Sequence, residues 1–141
     1  MIPGLLLSKE KIISVDNGNI MHAIKKSSKG YNGFGEAYFS LIQYQSIKGW
    51  KKHLRMTVNL VVPIGKVRFV VFHQDKNHKQ RKFYEFILSR ENYNRLTIPP
   101  MVWYSFQGLS KSDSVVLNVA DIEHIPEESE SIELNSIEFD W

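Results

Sequence analysis

The sequence predicts an all-β fold, a sandwich or barrel of short strands in one domain. Three observations carry this. Nine runs are rich in Val, Ile, Leu, Phe and Tyr, compact turn clusters separate them, and no 3.6-residue apolar period persists over a dozen residues.

The expected strands are Lys11–Val15, Ile20–Lys25, Glu36–Tyr44, Gly49–Val62, Val67–His73, Arg81–Leu88, Arg95–Ile98, Trp103–Gly108 and Ser114–Val119. The turns between them read from their residue types: Asp16-Asn17-Gly18, Lys29–Gly35, Pro63-Ile64-Gly65, Asp75–Lys79 and Lys111-Ser112-Asp113. Glu91–Asn94 fits a single helical turn. Pro99-Pro100 removes two ladder donors, so it belongs to an edge or to the turn leading into Met101–Phe106. The apolar stretch Ile2–Leu7 is an expected further strand. Left free it would be a liability, so it is expected to add to the sheet of a second copy, making a homodimer.

The chain has 141 residues, enough for one core without staples, and an apolar share of 43%. We therefore expect one domain over residues 1–141, with residues 1–15 as an N-terminal strand or arm and 121–141 as an acidic C-terminal segment. There is no cysteine, which excludes a disulfide framework and thiolate chemistry. No run approaches the ~20 apolar residues of a membrane helix. The apolar start "MIPGLLLSKEK" lacks a basic flank and a small-residue cleavage site, so a cytoplasmic protein without membrane contact is expected. The net charge of +3 is unevenly spread. Residues 121–141 carry eight acidic side chains and no Lys or Arg, which leaves all 18 basic residues in the first 120. Such asymmetry fits either a nucleic-acid binder or a basic pocket with an acidic flap.

"KGWKKHLRMTVNLVVPIGK" is the most informative stretch. If it is one strand, side chains alternate across it. Lys51, His53, Arg55, Thr57 and Asn59 then share one face, and Trp50, Leu54, Met56, Val58 and Leu60 share the other. A cationic row of this kind is either the solvated face of an edge strand or the wall of a pocket for an anion.

A resemblance weighs between these. "IKGWKKHLRMT…LVVPIGKVRFVVF", "LSRENYNRLTIPPMVWYSFQGLS" and "LNVADIEHIPEE…IEFDW" occur in order, with "GEAYFS" before them. Over roughly residues 16–141 the chain resembles the RmlC-like cupin family around dTDP-4-dehydrorhamnose 3,5-epimerase, in particular its short epimerase-like members. The resemblance implies a double-stranded β-helix (jelly roll), usually dimeric, acting on nucleotide-linked 4-keto-6-deoxy sugars in surface-polysaccharide synthesis. By the same resemblance Lys51 stands in the slot of the family's base histidine, with His53 two residues on. Tyr104 replaces a His and Met101 a Gly in the "IPPG…HGF" strand, the family's acid tyrosine falls near Leu117, and no C-terminal extension is expected to supply a carboxylate to the base.

Inverting or moving a centre beside a ketone needs a base, an oxyanion partner and an acid. His53 is the expected base, Lys51 the alternative base or enolate partner, and Tyr104 the expected acid. Lys48, Arg55, Asn59 and Arg68 are expected in substrate binding, the cations on the diphosphate, with Tyr38 or Trp103 stacking on base or sugar. Each has a plainer reading: His53 as a strand-edge histidine, Tyr104 as a half-buried barrel-mouth tyrosine, Trp50 and Trp103 as packing. His22, His73 and His124 read as structural or exposed, Lys76–Lys82 as a solvated hairpin tip, and Glu127, Glu128 and Glu130 as a solvent-facing acidic segment.

Metal-binding cupins use His-x-His, a carboxylate and a later His. Here Lys51-Lys52-His53 and Tyr104 stand in those places, so neither metal nor other cofactor is expected. The function expected is an epimerase or isomerase of a nucleotide-diphosphate sugar. The alternative is an altered cupin that binds such a sugar, or assists a partner enzyme, without turnover. A nucleic-acid binder has only the basic excess behind it, with no helix-turn-helix and no aromatic RNP-like strand pair.

Overall fold

The computed structural model describes residues 2–141. Twelve strands form two five-stranded antiparallel sheets and one short hairpin. The first sheet contains β1 (Leu6–Lys9), β9 (Asn94–Ile98), β6 (Val58–Ile64), β11 (Ser114–Ala120) and β4 (Glu36–Ile42), in that order across it. The second contains β12 (Ser129–Ser131), β5 (Ile47–His53), β10 (Trp103–Gly108), β7 (Lys66–Gln74) and β8 (Arg81–Ser89). The hairpin pairs β2 (Ile12–Ile13) with β3 (Ile20–Met21). The architecture is the expected cupin jelly roll. No helix among the described residues is long and apolar enough to cross a membrane.

Strand alternation builds the core. Val58, Leu60 and Val62 of β6, Leu96 and Ile98 of β9, and Val116 of β11 face Val67, Phe69 and Val71 of β7 across the interior. Tyr104 closes this core at one end. A second apolar cluster lies on the outside of the second sheet. There Trp50, Val70 and Phe72 are covered by Ile132, Leu134, Ile137, Phe139 and Trp141 of the C-terminal segment. The Trp50 indole N–H donates to the Leu134 carbonyl at 3.0 Å, which pins this strap to β5.

Three expectations change. The run Gly49–Val62 is not one strand: β5 ends at His53, the chain turns a corner through Leu54-Arg55-Met56-Thr57, and β6 begins in the other sheet at Val58. The N-terminal strand also finds its partner at home. Leu6–Lys9 pair with Thr97–Asn94 of β9, and Ile2 and Leu5 are buried in the chain's own core, so this strand gives no argument for a second copy. Glu91–Asn94 forms a turn without a helix.

Candidate functional site

The site lies where β5 and β10 run side by side. Tyr104 stands opposite Lys51 in the register, and the pairing shifts between Tyr104 and Phe106, so a bulge interrupts the ladder there. Lys51, His53 and Tyr104 are on the core-facing side of the second sheet, while Trp50, Lys52 and Trp103 are on its outer side.

His53 is 2% exposed and is held at both ends. Its Nδ1 lies 2.8 Å from Oε2 of Glu128, which is itself 1% exposed. Its Nε2 lies 3.3 Å from the Tyr104 hydroxyl. Glu128 reaches this position because β12 pairs with β5, Ser129 opposite His53, and because the Leu54 amide donates to the Glu128 carbonyl at 2.7 Å. Its other carboxylate oxygen accepts the backbone N–H groups of Met56 (2.9 Å) and Arg55 (3.1 Å), the amides exposed by the corner between β5 and β6. The corner that breaks the expected long strand is therefore what binds the carboxylate.

The electrostatics follow from these contacts. Burial lowers the His53 imidazole below its ordinary range, and the Glu128 hydrogen bond and charge only partly offset it, with Lys51 and His124 adding to the lowering. Burial raises the Glu128 carboxyl, but the His53 bond and the two amides outweigh it, and the net displacement is downward. Burial raises the Tyr104 phenol far above its usual value, with Tyr38 and Glu128 adding to the rise. At neutral pH the arrangement is a carboxylate, a neutral imidazole and a phenol. The carboxylate accepts the Nδ1–H, so the Nε2 lone pair faces Tyr104.

The facing wall comes from the first sheet. Tyr38 of β4 pairs with Asn118 of β11, whose side chain is buried and donates to Ser40. Burial raises the Tyr38 phenol, with Glu36 and then Glu128 contributing. Lys48 stands opposite Phe106 in the register, beyond the bulge from Tyr104, its ammonium 5.9 Å from the Phe106 ring.

Other expected site residues lie elsewhere. Arg68 is on the outer face of β7, bonded to Glu85 at 2.9 Å and over the Phe139 ring. Trp103 is also on the outer face, under the Lys52 ammonium at 4.7 Å, and Lys52 pairs with Glu130. Asn59 is on the outside of the first sheet, where its carbonyl accepts from Thr97 and Arg95 and its amide donates to Gly30. Arg55 is at the corner, exposed, and contributes its backbone amide to Glu128. Thus His53, Lys51 and Tyr104 meet with Tyr38 near them, Lys48 lies farther along β5 over Phe106, and Arg68, Asn59 and Trp103 do not join them.

Glu128 corrects an expectation: it is not solvent-facing but buried, and it supplies a carboxylate to His53. Met101 is exposed at the rim, its amide donating to the His53 carbonyl at 2.7 Å, with φ at 68° in the left-handed region that favours glycine. No group of three His, Asp or Glu side chains that could hold a metal ion occurs among the described residues.

No family model and no curated protein matches the chain. Solved structures do. The chain is 31% identical to a dTDP sugar isomerase from Desulfovibrio desulfuricans G20, over 96% of this chain and 87% of that one, with a TM-score of 0.89. A dTDP-4-dehydrorhamnose 3,5-epimerase from Sulfolobus tokodaii shares 21% identity over 99% of this chain and 82% of its own, TM-score 0.82. A 3,4-ketoisomerase variant from Thermoanaerobacterium thermosaccharolyticum, in complex with TDP-4-keto-6-deoxyglucose, shares 18% over 92% and 88%, TM-score 0.72. The last two show the fold.

Proposed function

The chain belongs to the RmlC-like family of dTDP-sugar epimerases and isomerases, and from that premise we propose that it isomerises a dTDP-linked 4-keto-6-deoxy sugar by moving a proton beside the ketone. The observation that carries this is the buried sequence of contacts from Glu128 through His53 to Tyr104.

His53 is the base. Its Nε2 takes the proton from the carbon next to the carbonyl, and the C–H electron pair moves onto the carbonyl oxygen as an enolate. Glu128 fixes the tautomer and stabilises the imidazolium that forms, as buried carboxylates do for catalytic histidines. Lys51, on the same face, offers an ammonium to the enolate oxygen. Tyr104 stays protonated and donates to Nε2 at rest. When the sugar enters, its α-carbon displaces this 3.3 Å contact. Return of the proton to the other face of the ring falls to Tyr38 on the opposite sheet. Return of the proton on the same face to the former carbonyl carbon falls to His53 and Tyr104; the neighbouring hydroxyl gives its proton to the enolate oxygen in the same step, and the carbonyl migrates. Arg55, exposed at the corner beside Glu128, and Lys48, farther along β5, are the cations offered to the diphosphate. The reading includes a cytoplasmic location, a role in surface-polysaccharide synthesis and a homodimer.

The test is proton exchange from heavy water into dTDP-4-keto-6-deoxyglucose, followed by NMR. The wild type incorporates deuterium at carbon 3 or 5 and His53→Asn does not. Tight binding without exchange by the wild type overturns the catalytic reading in favour of a non-catalytic nucleotide-sugar binder. The Tyr104 contact that occupies Nε2 is the observation behind that second reading.

A further inference from the structure

The inner face of the first sheet is apolar over most of its width. Val58, Leu60 and Val62 of β6, Leu96 and Ile98 of β9, and Val116 of β11 all belong to the core. Toward β4 the pattern breaks. Asn118 pairs with Tyr38 and Val116 pairs with Ser40, so Asn118, Tyr38 and Ser40 share the inward side with Val116. Asn118 is 6% exposed. A primary amide so placed costs free energy unless its groups find partners.

Half of the amide finds them within the chain. Its Nδ2 donates to the Ser40 hydroxyl at 3.1 Å, to the Val116 carbonyl at 3.2 Å and to the Tyr38 carbonyl at 3.4 Å. Two of these acceptors are backbone carbonyls, which cannot donate, so the amide can only sit with its nitrogen toward them. Both N–H groups are thereby used. The oxygen Oδ1 is turned the other way, and no group among the described residues donates to it. No side-chain oxygen sealed from water lacks a partner there, so Oδ1 borders open space instead of packed core. Ser40 adds the complement. It spends a lone pair on Asn118 and keeps its own O–H. An acceptor and a donor thus stand side by side on the wall that carries Tyr38, fixed by the ladder between β4 and β11.

We infer that Asn118 and Ser40 hold a hydroxyl of the hexose ring, Asn118 Oδ1 accepting from it and the Ser40 O–H donating to it, a role that rests on the keto-sugar reading above and deepens it. Asn118 and Tyr38 are direct cross-strand neighbours, about 5 Å apart. Tyr38 acts on the Tyr104 phenol and Glu128 acts on Tyr38, so this wall faces the His53 site. A group in reach of Asn118 is therefore part of the sugar whose carbon meets His53. The nucleobase lies beyond two phosphates. In a 4-keto-6-deoxyhexose the carbonyl and ring oxygens only accept, and carbon 6 is a methyl group. The hydroxyls on carbons 2 and 3 are the donors that remain, and only they can satisfy Oδ1. An amide neither takes nor supplies a proton at neutral pH, so Asn118 selects and orients the ring while His53 and Tyr38 move the proton. A site that bonds a hydroxyl also rejects a ring lacking it, because Oδ1 is then left without a partner.

The experiment measures two dissociation constants by calorimetry on the full chain, one for dTDP-4-keto-6-deoxyglucose and one for dTDP alone. Binding is read without turnover, so the outcome does not depend on whether His53 catalyses exchange. Asn118→Leu keeps the size of the side chain and removes the acceptor. It is expected to weaken the sugar nucleotide about tenfold and to leave dTDP within about twofold. A loss that came only from loosened strands would weaken both ligands alike. Ser40→Ala keeps Asn118 and its bonds to the backbone. It should weaken the sugar nucleotide about threefold with dTDP unchanged, and it decides if Asn118→Leu does not fold. Equal loss of both ligands in Asn118→Leu, or unchanged sugar-nucleotide affinity in either folded variant, would overturn the assignment. A wild type that binds both ligands and exchanges no deuterium would refute the catalytic reading and leave this one standing. A wild type that binds neither would overturn both.

Discussion

Replacing Glu128 by Gln keeps the shape of the side chain and changes one hydrogen-bonding atom. The amide oxygen can still accept the Met56 and Arg55 N–H groups, which lie 2.9 and 3.1 Å from the carboxylate. The amide nitrogen then faces His53 Nδ1, now 2.8 Å from a carboxylate oxygen, and donates to it. The imidazole must turn to the Nε2–H tautomer, so the lone pair is lost from the end that faces the substrate. Loss of tautomer control and of imidazolium stabilisation together costs about 10³–10⁴-fold in rate for a histidine base oriented by a carboxylate. Stability changes much less. One charge-assisted bond is lost, worth ~1.5–3 kcal/mol, and relief of a buried charge offsets part of it. Glu128→Ala, in contrast, strands the buried Met56 amide at ~1–3 kcal/mol, and the half-buried Arg55 amide at less. The assay is deuterium incorporation into the keto sugar, beside a denaturant melt. Exchange within threefold of the wild type in a folded Glu128→Gln protein would refute the idea that the carboxylate governs His53.

Tyr104→Phe should slow exchange by about 10²-fold while moving stability by less than ~1 kcal/mol, because the bond it removes is 3.3 Å long. Stability should fall as the solution is acidified, in two stages. His53 has a folded pKa below its unfolded value near 6.5, so the unfolded chain takes up protons first and stability declines as pH drops below that value. Glu128 also titrates lower when folded, so its contribution is present above the unfolded value near 4.5 and is lost as pH falls through the folded one. Chemical melts across this range should show both stages, and His53→Asn should lack the first. Arg68→Ala should leave KM for the nucleotide sugar within about twofold, since Arg68 lies on the outer face against Glu85 and Phe139; a tenfold rise would return it to the site.

Most strands were legible because β-branched alternation and turn residues survive in any all-β context. The break within Gly49–Val62 was not. Its corner, Leu54–Thr57, contains neither Gly nor Pro, and an alternating pattern reads the same whether or not the chain changes sheets. The parity of Arg68 is legible in the strand: Val67, Phe69 and Val71 face the core, so Arg68 faces away. Glu128 gave no local signal, sitting in an acidic segment whose composition suggests solvent. The alternating Ile132, Leu134, Ile137, Phe139 and Trp141 just after it was the clue that this segment packs and carries Glu128 inward. His53 and Tyr104 were found through resemblance together with the chemistry of imidazole and phenol. Tyr38 was expected as a stacking surface, and its place facing Tyr104 from the opposite sheet suits proton transfer instead.

The mechanism requires a neutral His53 imidazole that gives its Nδ1–H to Glu128 and keeps an unprotonated Nε2, its lone pair held by the Tyr104 hydroxyl until substrate enters. Nitrogen-15 NMR of the histidine side chains at neutral pH reads this directly. The account predicts that His53 bears its proton on Nδ1 and titrates below 6.5, and that Glu128→Gln moves the proton to Nε2. A His53 that is doubly protonated at pH 7, or protonated on Nε2 in the wild type, would contradict it.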